Sequence, residues 1–454
     1  LFIISCTNNY NPTVVSARKD ASEIGLKIME DGGNAFDAMI AVQLALSVSH
    51  PTAGNISGGG FMVYKLSDGS EGSLDFREKA PNSSSADMYL DEDGNVIAGL
   101  SSLGGLAVGV PGTISAIFDI HEKFGLLPIE DLFKPSIELA ENGFLVTKYL
   151  EDELNEKRDV FIMMNGQESL YSKNYKEGDT IKNNNYAQTL IKIMNEGKDG
   201  FYSGEVAEDM IETISKKGGI MTINDLSDYE SIWREPVKFK YKDYDIISMS
   251  FPSSGGILLG QMMKAIEKFD LSKIPHNSAE YIQLLTEIER RAFADRSDLM
   301  GDPDFMNLPV YEFMDEEYIE ERMKSFSWEE ATPSSEIKPG EVIFNESDET
   351  THFSIIDKSG NAVSVTTTLN NSFGSKVYLE NSGFFLNNEM DDFSSKPGFP
   401  NFFGVLGSEA NSIQPGKRML SAMTPTIVLK NNKPKLILGS PGGPSIITSV
   451  FQTI

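Results

Sequence analysis

The chain has 454 residues, of which 40% are hydrophobic and 23% are charged, a balance found in soluble globular proteins with a large core. Its 67 acidic residues outnumber 39 basic ones and give a net charge of −28. This excess of acid argues against nucleic acid as a partner, because binding a polyanion requires clustered lysine and arginine.

The first six residues form a short apolar stretch. They are too few to span a bilayer and are typical of the end of a secretory signal whose beginning is absent. Ile3-Ile4-Ser5-Cys6 is similar to a bacterial lipobox, with Cys6 as the lipidated residue and residues 7–13 as a polar tether. We therefore expect an exported bacterial protein, periplasmic or at the cell surface, anchored through Cys6. The alternative is a chance apolar end with an unused thiol; Cys6 is the only cysteine, so no internal disulfide can form.

A buried helix and a close-packed glycine run are predicted next. Residues 35–49 are apolar on most sides, which predicts a buried helix that follows Gly32-Gly33 and ends at His50-Pro51. The run Gly58-Gly59-Gly60 is not followed by the Gly-Lys-Ser/Thr of a phosphate-binding loop. We expect it instead to allow close backbone packing behind a strand at residues 61–64.

A second long helix with a charged flank is predicted at residues 279–300. Residues 333–349 are rich in proline, glycine, serine and acid, which predicts an exposed connector. Such a segment suits a chain that is cut at this point.

A β-hairpin is predicted directly after the connector. Apolar and polar residues alternate from Thr351, residues 357–361 supply turn chemistry, and residues 362–369 form a second strand rich in valine and threonine. Centring the turn on Ser359 places Thr350 opposite Thr368 and leaves Asn370 on the same face, because side chains in a strand alternate with a period of two.

Thr350 could act as a nucleophile if its α-amino group were free. The hydroxyl alone is a poor nucleophile, but a free α-amine, with a reference pKa of about 7.7–8, can take its proton. The chemistry therefore requires cleavage of the Glu349–Thr350 bond, by Thr350 itself through an N-to-O acyl shift. The alternative from the hairpin alone is that the Thr-Thr pair only marks a strand edge.

Metal-dependent and serine-hydrolase patterns are not found in the sequence. The four histidines are not spaced as a zinc pair, and no Gly-x-Ser-x-Gly occurs. We expect no metal and no cofactor, and we expect His352 to be a structural residue of the hairpin.

Many short blocks follow one another along the chain. They are GGNAFDA (32–38), HP (50–51), GGGFM (58–62), DFREKAP (75–81), VPGT (110–113), PSSGG (252–256), ADR (294–296), NNEMDDF (387–393) and GSPGG (439–443). In number, order and spacing these blocks resemble the γ-glutamyltransferase (glutathione hydrolase) family of N-terminal-nucleophile hydrolases, from about Val14 to the last residue.

The resemblance implies an α+β fold, a four-layer αββα sandwich of the N-terminal-nucleophile hydrolase type. Cleavage would give a large segment, residues 14–349, and a small segment, residues 350–454, that remain associated as one body. Relatives continue beyond the glycine turn, so the resemblance also suggests that this sequence is a fragment at both ends.

Catalytic roles are implied for four residues. Thr350 matches the nucleophile and new N-terminus, and Thr368 matches the second threonine that hydrogen-bonds it. Gly442 and Gly443 match the glycine pair whose backbone N–H groups stabilise the tetrahedral oxyanion, where one such donor contributes about 3–4 kcal/mol. The alternative for this Pro-Gly-Gly segment is a turn without a catalytic role.

Substrate-binding roles are implied for five residues. Arg77 matches the arginine that binds the α-carboxylate of a γ-glutamyl group, with help from Ser421, a task suited to a planar fork of donors. Asp392 matches the carboxylate that binds the α-ammonium, with Asn370 and Glu389 completing the site. Without the resemblance, Arg77 would be interpreted as a surface ion pair with a neighbouring acid and Asp392 as part of an acidic turn.

Two departures from the family pattern, at Ala422 and Phe403, concern the substrate. Ala422 stands where many members have a second serine, which removes a hydrogen bond worth about 1 kcal/mol. Glu389 is a glutamine in some members and could offset that loss. Residues 396–415 have the composition of a closing loop, in which Phe403 replaces a tyrosine of some relatives.

The function implied is cleavage of glutathione and related γ-glutamyl compounds, with transfer of the γ-glutamyl group to water, an amino acid or a dipeptide. One alternative is a related acylase acting on glutaryl or poly-γ-glutamate substrates. Asp392 argues against glutaryl groups, which lack the ammonium. The other alternative is an inactive, anchored binding protein, against which the retained site residues argue.

Overall fold

The computed structural model describes residues 10–337, 350–401, 404 and 406–454. Cys6, Glu349 and Phe403 lie outside the described residues, and the lipid anchor, the cut and the altered closing loop stay predictions. Within the described part, no helix combines the length and the apolar content needed to cross a bilayer.

Helices and strands alternate irregularly along the described chain. The strands are β1 (Thr13–Val15), β2 (Gly59–Lys65), β3 (Glu71–Asp75), β4 (Phe144–Leu145), β5 (Thr180–Ile181), β6 (Ile232–Arg234), β7 (Val237–Tyr241), β8 (Tyr244–Ser248), β9 (Thr351–Ile356), β10 (Ala362–Thr368), β11 (Tyr378–Leu379), β12 (Phe384–Phe385), β13 (Thr426–Lys430) and β14 (Lys433–Leu438). The α-helices are α1 (Lys19–Glu30), α2 (Ala35–Ser49), α3 (Thr113–Phe124), α4 (Ile129–Asn142), α5 (Lys148–Asn165), α6 (Asn184–Glu196), α7 (Asp199–Tyr202), α8 (Gly204–Lys216), α9 (Ile223–Ser227), α10 (Gly255–Ile266), α11 (Ala279–Leu299), α12 (Glu316–Met323) and α13 (Ser445–Thr453).

Helix α2 has the bounds that its sequence predicts, and every one of its residues is buried. Its start is fixed by a capping box: the Asn34 side chain accepts the N–H of Asp37 at 3.0 Å, and Asp37 accepts the N–H of Asn34 at 2.9 Å. The helix is apolar all round because it packs against α1, α3 and α4 while also covering the sheet. The second predicted helix is α11, which ends one residue earlier than expected.

Two antiparallel sheets form the centre of the molecule. The larger sheet has the order β1-β9-β10-β2-β3-β6, and the smaller has the order β14-β13-β8-β7. Phe61 and Val63 of β2 face the smaller sheet and pack with Ile427 of β13, whereas Met62 and Tyr64 point to the opposite face. This alternation follows from the two-residue period of a strand.

A layer of helices covers the outer face of each sheet. On the larger sheet the core joins Met62 and Phe353 to residues of α2, α3 and α4. On the smaller sheet it joins Ile246 and Val428 to residues of α10 and α11. The order of layers is therefore helix, sheet, sheet, helix, which confirms the predicted αββα sandwich.

The hairpin has the register that its turn predicts. Ile356 pairs with Ala362 and Thr351 pairs with Thr367, so the two strands are centred on Ser359. The Asp357 carboxylate fixes the turn by accepting the N–H of Ser359 at 2.8 Å and of Asn361 at 3.0 Å. One step beyond the last pair, the same register sets Thr350 opposite Thr368.

The glycine run before Phe61 packs as closely as expected. A Cβ on Gly59 would lie 2.5 Å from the Glu78 carboxylate and from the Phe76 carbonyl, and a Cβ on Gly58 would overlap the Thr368 carbonyl. Glycine is required here because the backbone of β2 contacts both β10 and the segment after β3.

Candidate active site

One cavity brings together most of the residues singled out in the sequence. It lies where the ends of β3, β10 and the turn after β14 meet. The predicted residues in its wall are Arg77, Thr350, Thr368, Asn370, Glu389, Asp392, Ser421 and Gly443. Ala422 also lines it, and Gly442 of the predicted pair does not.

The two threonines lie at the end of the hairpin that faces this cavity. Thr350 is 9% exposed and directly precedes β9, while Thr368 is the last residue of β10 and is also buried. Thr368 Oγ1 accepts the N–H of Asn370 at 2.8 Å. The end of the hairpin therefore brings both threonines to the wall of the same cavity.

Asn370 continues this arrangement in a left-handed conformation, with φ of 75°. Asparagine tolerates this region better than most residues, and its side-chain amide is held by the Asn388 carbonyl at 3.0 Å. Its Nδ2 hydrogen bond thus connects the end of β10 to the segment that carries Glu389.

The glycine turn after β14 also requires its glycines. Gly442 and Gly443 have φ of 122° and 50°. The Gly442 carbonyl accepts the N–H of Ser445 at 3.0 Å and the Ser445 hydroxyl at 2.7 Å, which joins the turn to the start of α13. Gly443 and Pro444 reach the cavity wall.

Arg77 is fully buried and is the cationic centre of the cavity. Its Nη2 lies 2.5 Å from Asp392 Oδ2, and its Nη1 bonds Glu389 and lies 3.6 Å from Glu78. Its Nε donates to the Met419 carbonyl at 3.3 Å. The interpretation of Arg77 as a surface ion pair is therefore wrong, because the guanidinium is enclosed.

Burial and the neighbouring charges shift the pKa values of these side chains. Burial lowers the pKa of Arg77, but Glu389 and Asp392 outweigh it and raise the pKa overall, so the guanidinium stays charged. Burial raises the pKa of Glu389 to about 8, against the opposing effect of Arg77. Burial also raises the pKa of Asp392, with Arg77 and then Arg296 opposing.

Glu78 is a further acid of this group. It is fully buried, its two carboxylate oxygens have no hydrogen-bond partner among the described residues, and burial raises its pKa well above the usual range. A neutral carboxyl beside Arg77 is the consistent state, because an unpaired buried carboxylate is costly.

Ser421 is held by the turn that precedes α10. Its N–H donates to the Pro252 carbonyl at 2.9 Å, and its own carbonyl accepts the N–H of Ser254 at 2.9 Å and the Ser254 hydroxyl at 2.8 Å. The Ser421 hydroxyl accepts the N–H of Met423 at 3.1 Å and lies in the cavity wall. The PSSGG block thus supports the serine.

Sequence reasoning missed two polar residues of the cavity wall, Arg296 and Asn401. Arg296 belongs to the ADR block, which was a signal of importance without an indicated role. Asn401 belongs to the predicted closing loop, and its Nδ2 lies 3.4 Å from Asp392 Oδ1. Composition alone could not indicate that either side chain reaches the site.

Histidine does not contribute to the cavity. His352 Nδ1 and Nε2 lie 2.9 Å from the hydroxyls of Thr366 and Ser354, which confirms its structural place in the hairpin. Within residues 10–337 and the described parts of 350–454, no group of histidine, cysteine and acidic side chains could hold a metal ion.

Comparison with known proteins identifies the family of the chain. The family model described as gamma-glutamyltranspeptidase matches residues 21–454. The chain belongs to the γ-glutamyltranspeptidase family. A glutathione hydrolase proenzyme of Escherichia coli is 42% identical over 97% of this chain and 77% of its own length. The corresponding proenzyme of Pseudomonas aeruginosa is 43% identical over 95% of this chain and 77% of its own length.

A solved structure extends the likeness to three dimensions. The γ-glutamyltranspeptidase of Helicobacter pylori is 41% identical and superposes with a TM-score of 0.71 over 74% of this chain and 97% of the matched chain. The family membership, the N-terminal-nucleophile fold and the enzymatic nature inferred from the sequence blocks are confirmed.

Proposed function

We propose that this protein is a γ-glutamyl hydrolase and transferase that activates itself by cleavage before Thr350. The observation that supports this most is the meeting of Thr350, Thr368 and the Arg77–Asp392 pair in one cavity. The cavity wall thus holds both a nucleophile and groups complementary to a zwitterion.

Activation begins with the Thr350 hydroxyl attacking the carbonyl carbon of Glu349. The peptide C–N bond breaks as an ester to Thr350 Oγ forms, and the α-amine of Thr350 is released. Water then hydrolyses the ester, which leaves a carboxylate on Glu349 and a free amine beside the hydroxyl on Thr350.

Turnover uses this amine as the base. It takes the Oγ proton while Oγ adds to the γ-carbonyl of the substrate, and N–H groups of the Gly442-Gly443 turn stabilise the oxyanion. Collapse breaks the γ-amide bond and returns the proton to the leaving amine. The γ-glutamyl ester on Thr350 is then attacked by water, or by the amine of an acceptor amino acid or dipeptide.

Recognition of the γ-glutamyl group rests on the Arg77 guanidinium and the acidic side chains beside it. The substrate α-carboxylate binds the Arg77 guanidinium, near Ser421, and the α-ammonium binds Asp392 with Glu389 and Asn370 beside it. Because Arg77 already bonds Asp392 and Glu389, a zwitterion replaces one internal ion pair with two new ones and leaves no buried charge alone.

The competing acylase function predicts a different preference. A glutaryl group carries the carboxylate but not the ammonium, so it would leave Asp392 as an uncompensated buried charge. We therefore expect γ-glutamyl anilides, and glutathione itself, to be better substrates than glutaryl anilides. A higher kcat/KM for glutaryl substrates would favour the acylase.

Substitution of Thr350 tests the proposal directly. Thr350→Ala should remain one uncut chain and hydrolyse no γ-glutamyl-p-nitroanilide, whereas Thr350→Ser should keep part of both activities because it retains a hydroxyl. Denaturing gels report the cut, and N-terminal sequencing of the smaller product should begin at Thr350. The binding-protein alternative predicts that the unsubstituted chain is also uncut.

The adjacent Thr351 offers a matched control. Its hydroxyl is buried and has no hydrogen-bond partner among the described residues, so Thr351→Val should still be cut and active. Turnover by Thr350→Ala, or loss of cleavage in Thr351→Val alone, would contradict the assignment of the nucleophile.

A further inference from the structure

Arg296 places a second buried cation in the wall of the active-site cavity. It lies on α11 and is 7% exposed. No carboxylate among the described residues lies within 4.0 Å of its guanidinium. The adjacent Asp295 does not neutralise it, because its two carboxylate oxygens lie 2.6 Å from Gln261 Nε2 and 3.1 Å from Arg322 Nη2.

The Arg296 side chain is nevertheless fixed in place. Its Nε donates to Ser254 Oγ at 2.9 Å, and that hydroxyl donates to the Ser421 carbonyl at 2.8 Å. A chain of two buried hydrogen bonds thus connects α11 to the serine expected to help bind the substrate carboxylate. One of the guanidinium donors is thereby committed to the scaffold.

Several charged groups surround Asp392. Arg77 contacts it from the end of β3 and also lies near Glu78, while Glu389 and Asp391 share its 3₁₀ helix, Glu389–Asp392. Arg296 lines the same cavity from α11, and its positive charge favours the ionised form of Asp392. Arg77 is the only one of these groups that contacts Asp392 as an ion pair among the described residues. Without Arg296, Arg77 would be the one cation of the described cavity wall beside three acids, Glu78, Glu389 and Asp392.

Binding of a zwitterion changes the charges that surround Asp392. When a substrate carboxylate occupies Arg77, Asp392 loses part of its cationic partner in a buried site, where a carboxyl group tends to take up a proton. A protonated Asp392 cannot pair with the substrate ammonium. Burial lowers the pKa of Arg296 to about 10, so it is still charged at neutral pH and still opposes that protonation.

We infer that Arg296 is a positioning residue of the γ-glutamyl site, which keeps Asp392 ionised for the ligand ammonium and holds Ser421 through Ser254. The inference rests on the proposed function and deepens it, because it assigns the two tasks to different atoms of one side chain. The positive charge acts on Asp392, and the Nε–H acts on Ser254 and Ser421.

Three variants of the full chain separate the two tasks. Arg296→Gln removes the charge, Arg296→Lys keeps it, and Ser254→Ala keeps the charge but breaks the connection to Ser421. The probe is L-glutamate, which carries the carboxylate and the ammonium of the γ-glutamyl group. Its Kd is measured by calorimetry on the cut enzyme between pH 5 and pH 8, so that no catalytic step enters the result.

The charge-removing variant should change the pH dependence of binding. In Arg296→Gln we expect the pH below which L-glutamate binding weakens to rise by about one unit. We call this pH the midpoint of the binding curve. Arg296→Lys keeps the positive charge and should therefore have the same midpoint as the unsubstituted enzyme. Ser254→Ala should weaken binding roughly fivefold at every pH, the effect of one lost hydrogen bond, without moving the midpoint.

Two outcomes would overturn the inference. One is a midpoint in Arg296→Gln that equals that of the unsubstituted enzyme, even if L-glutamate binds more weakly at every pH. The other is a raised midpoint in Arg296→Lys. If Arg296→Gln does not fold or is not cut, the lysine variant decides by the position of its midpoint. Failure of the unsubstituted, folded and cut enzyme to bind L-glutamate would instead count against the proposed function.

Discussion

The Arg77 guanidinium lies against Glu78, Glu389 and Asp392; the two glutamates are buried, and the Asp392 side chain is 17% exposed. Three carboxylates and one nearby guanidinium cannot all be charged without a large electrostatic cost, so part of the group must hold protons. Glu389 is one acid that would bear this cost if it were ionised, because its Oε2 has no hydrogen-bond partner among the described residues.

Replacement of Glu389 by glutamine should therefore stabilise the protein in a pH-dependent way. The folded carboxyl has its pKa raised by burial to about 8, against 4.5 when unperturbed. Below pH 4.5 both states hold the proton, and the folded state bears no penalty. As the pH rises from 4.5 to 8, the unfolded state ionises first, so the folded state loses relative stability. Glu389→Gln removes that loss.

Thermal unfolding checks this expectation. The melting temperature of Glu389→Gln minus that of the unsubstituted protein should increase steadily between pH 5 and pH 8. The exposed Glu329 provides the comparison, and Glu329→Gln should show no such trend. A Glu389→Gln protein that is less stable at pH 8 than at pH 5, relative to the parent, would show that Glu389 is ionised in its pair with Arg77.

Sequence analysis found the residues of this cavity but not their arrangement. Arg77, Asp392 and Thr350 lie in blocks whose residue types imply their chemistry. Arg296 and Ser254 could not be placed, because their connection to Ser421 joins segments more than a hundred residues apart. Local patterns contain no information on which distant backbone carbonyl a side chain will reach.

The hairpin of β9 and β10 shows the opposite case, in which local sequence was sufficient. Its turn residues fixed the register, and the register fixed which hydroxyls meet. The buried helix α2 could also be predicted from local sequence, because its cap and its all-round apolar composition lie within the segment itself. The short strand β6 was not predicted; it is formed by pairing with the distant strand β3, and its three residues hold little pattern.

His352 gives this hairpin a stability that depends on pH. Burial lowers its pKa to about 3, against 6.5 when unperturbed, and both ring nitrogens bond threonine or serine hydroxyls. Above pH 6.5 neither state is protonated. As the pH falls from 6.5 towards 3, the unfolded state takes up a proton that the folded state cannot, so the folded state loses stability.

The variant His352→Gln should separate the effect of histidine protonation from that of the hydrogen bonds and packing of the ring. At pH 7.5 the variant should be less stable by about 1–2 kcal/mol, because hydrogen bonds and packing against Gly439 are lost. At pH 5 the difference should become smaller, since only the parent is penalised by histidine protonation. Urea unfolding at both pH values measures it. The exposed His276 serves as control, and a deficit of His352→Gln that grows on acidification would contradict the burial argument.

The two predicted segments are interleaved throughout the sandwich. In the larger sheet, β9 pairs with β1 and β10 pairs with β2; in the smaller sheet, β13 pairs with β8. Each of the three main cores contains residues from both sides of position 350. Cutting the Glu349–Thr350 bond therefore removes one covalent link and none of these contacts.

We accordingly expect the cut protein to behave as one folded body. It should give two bands on a denaturing gel but a single species of the summed mass by native mass spectrometry, because backbone ladders and apolar cores both cross the boundary. Denaturant should separate the segments in the same transition that abolishes γ-glutamyl-p-nitroanilide hydrolysis. Dissociation in dilute buffer, or release of the small segment before activity is lost, would show that the sandwich needs its peptide link and would contradict the shared core.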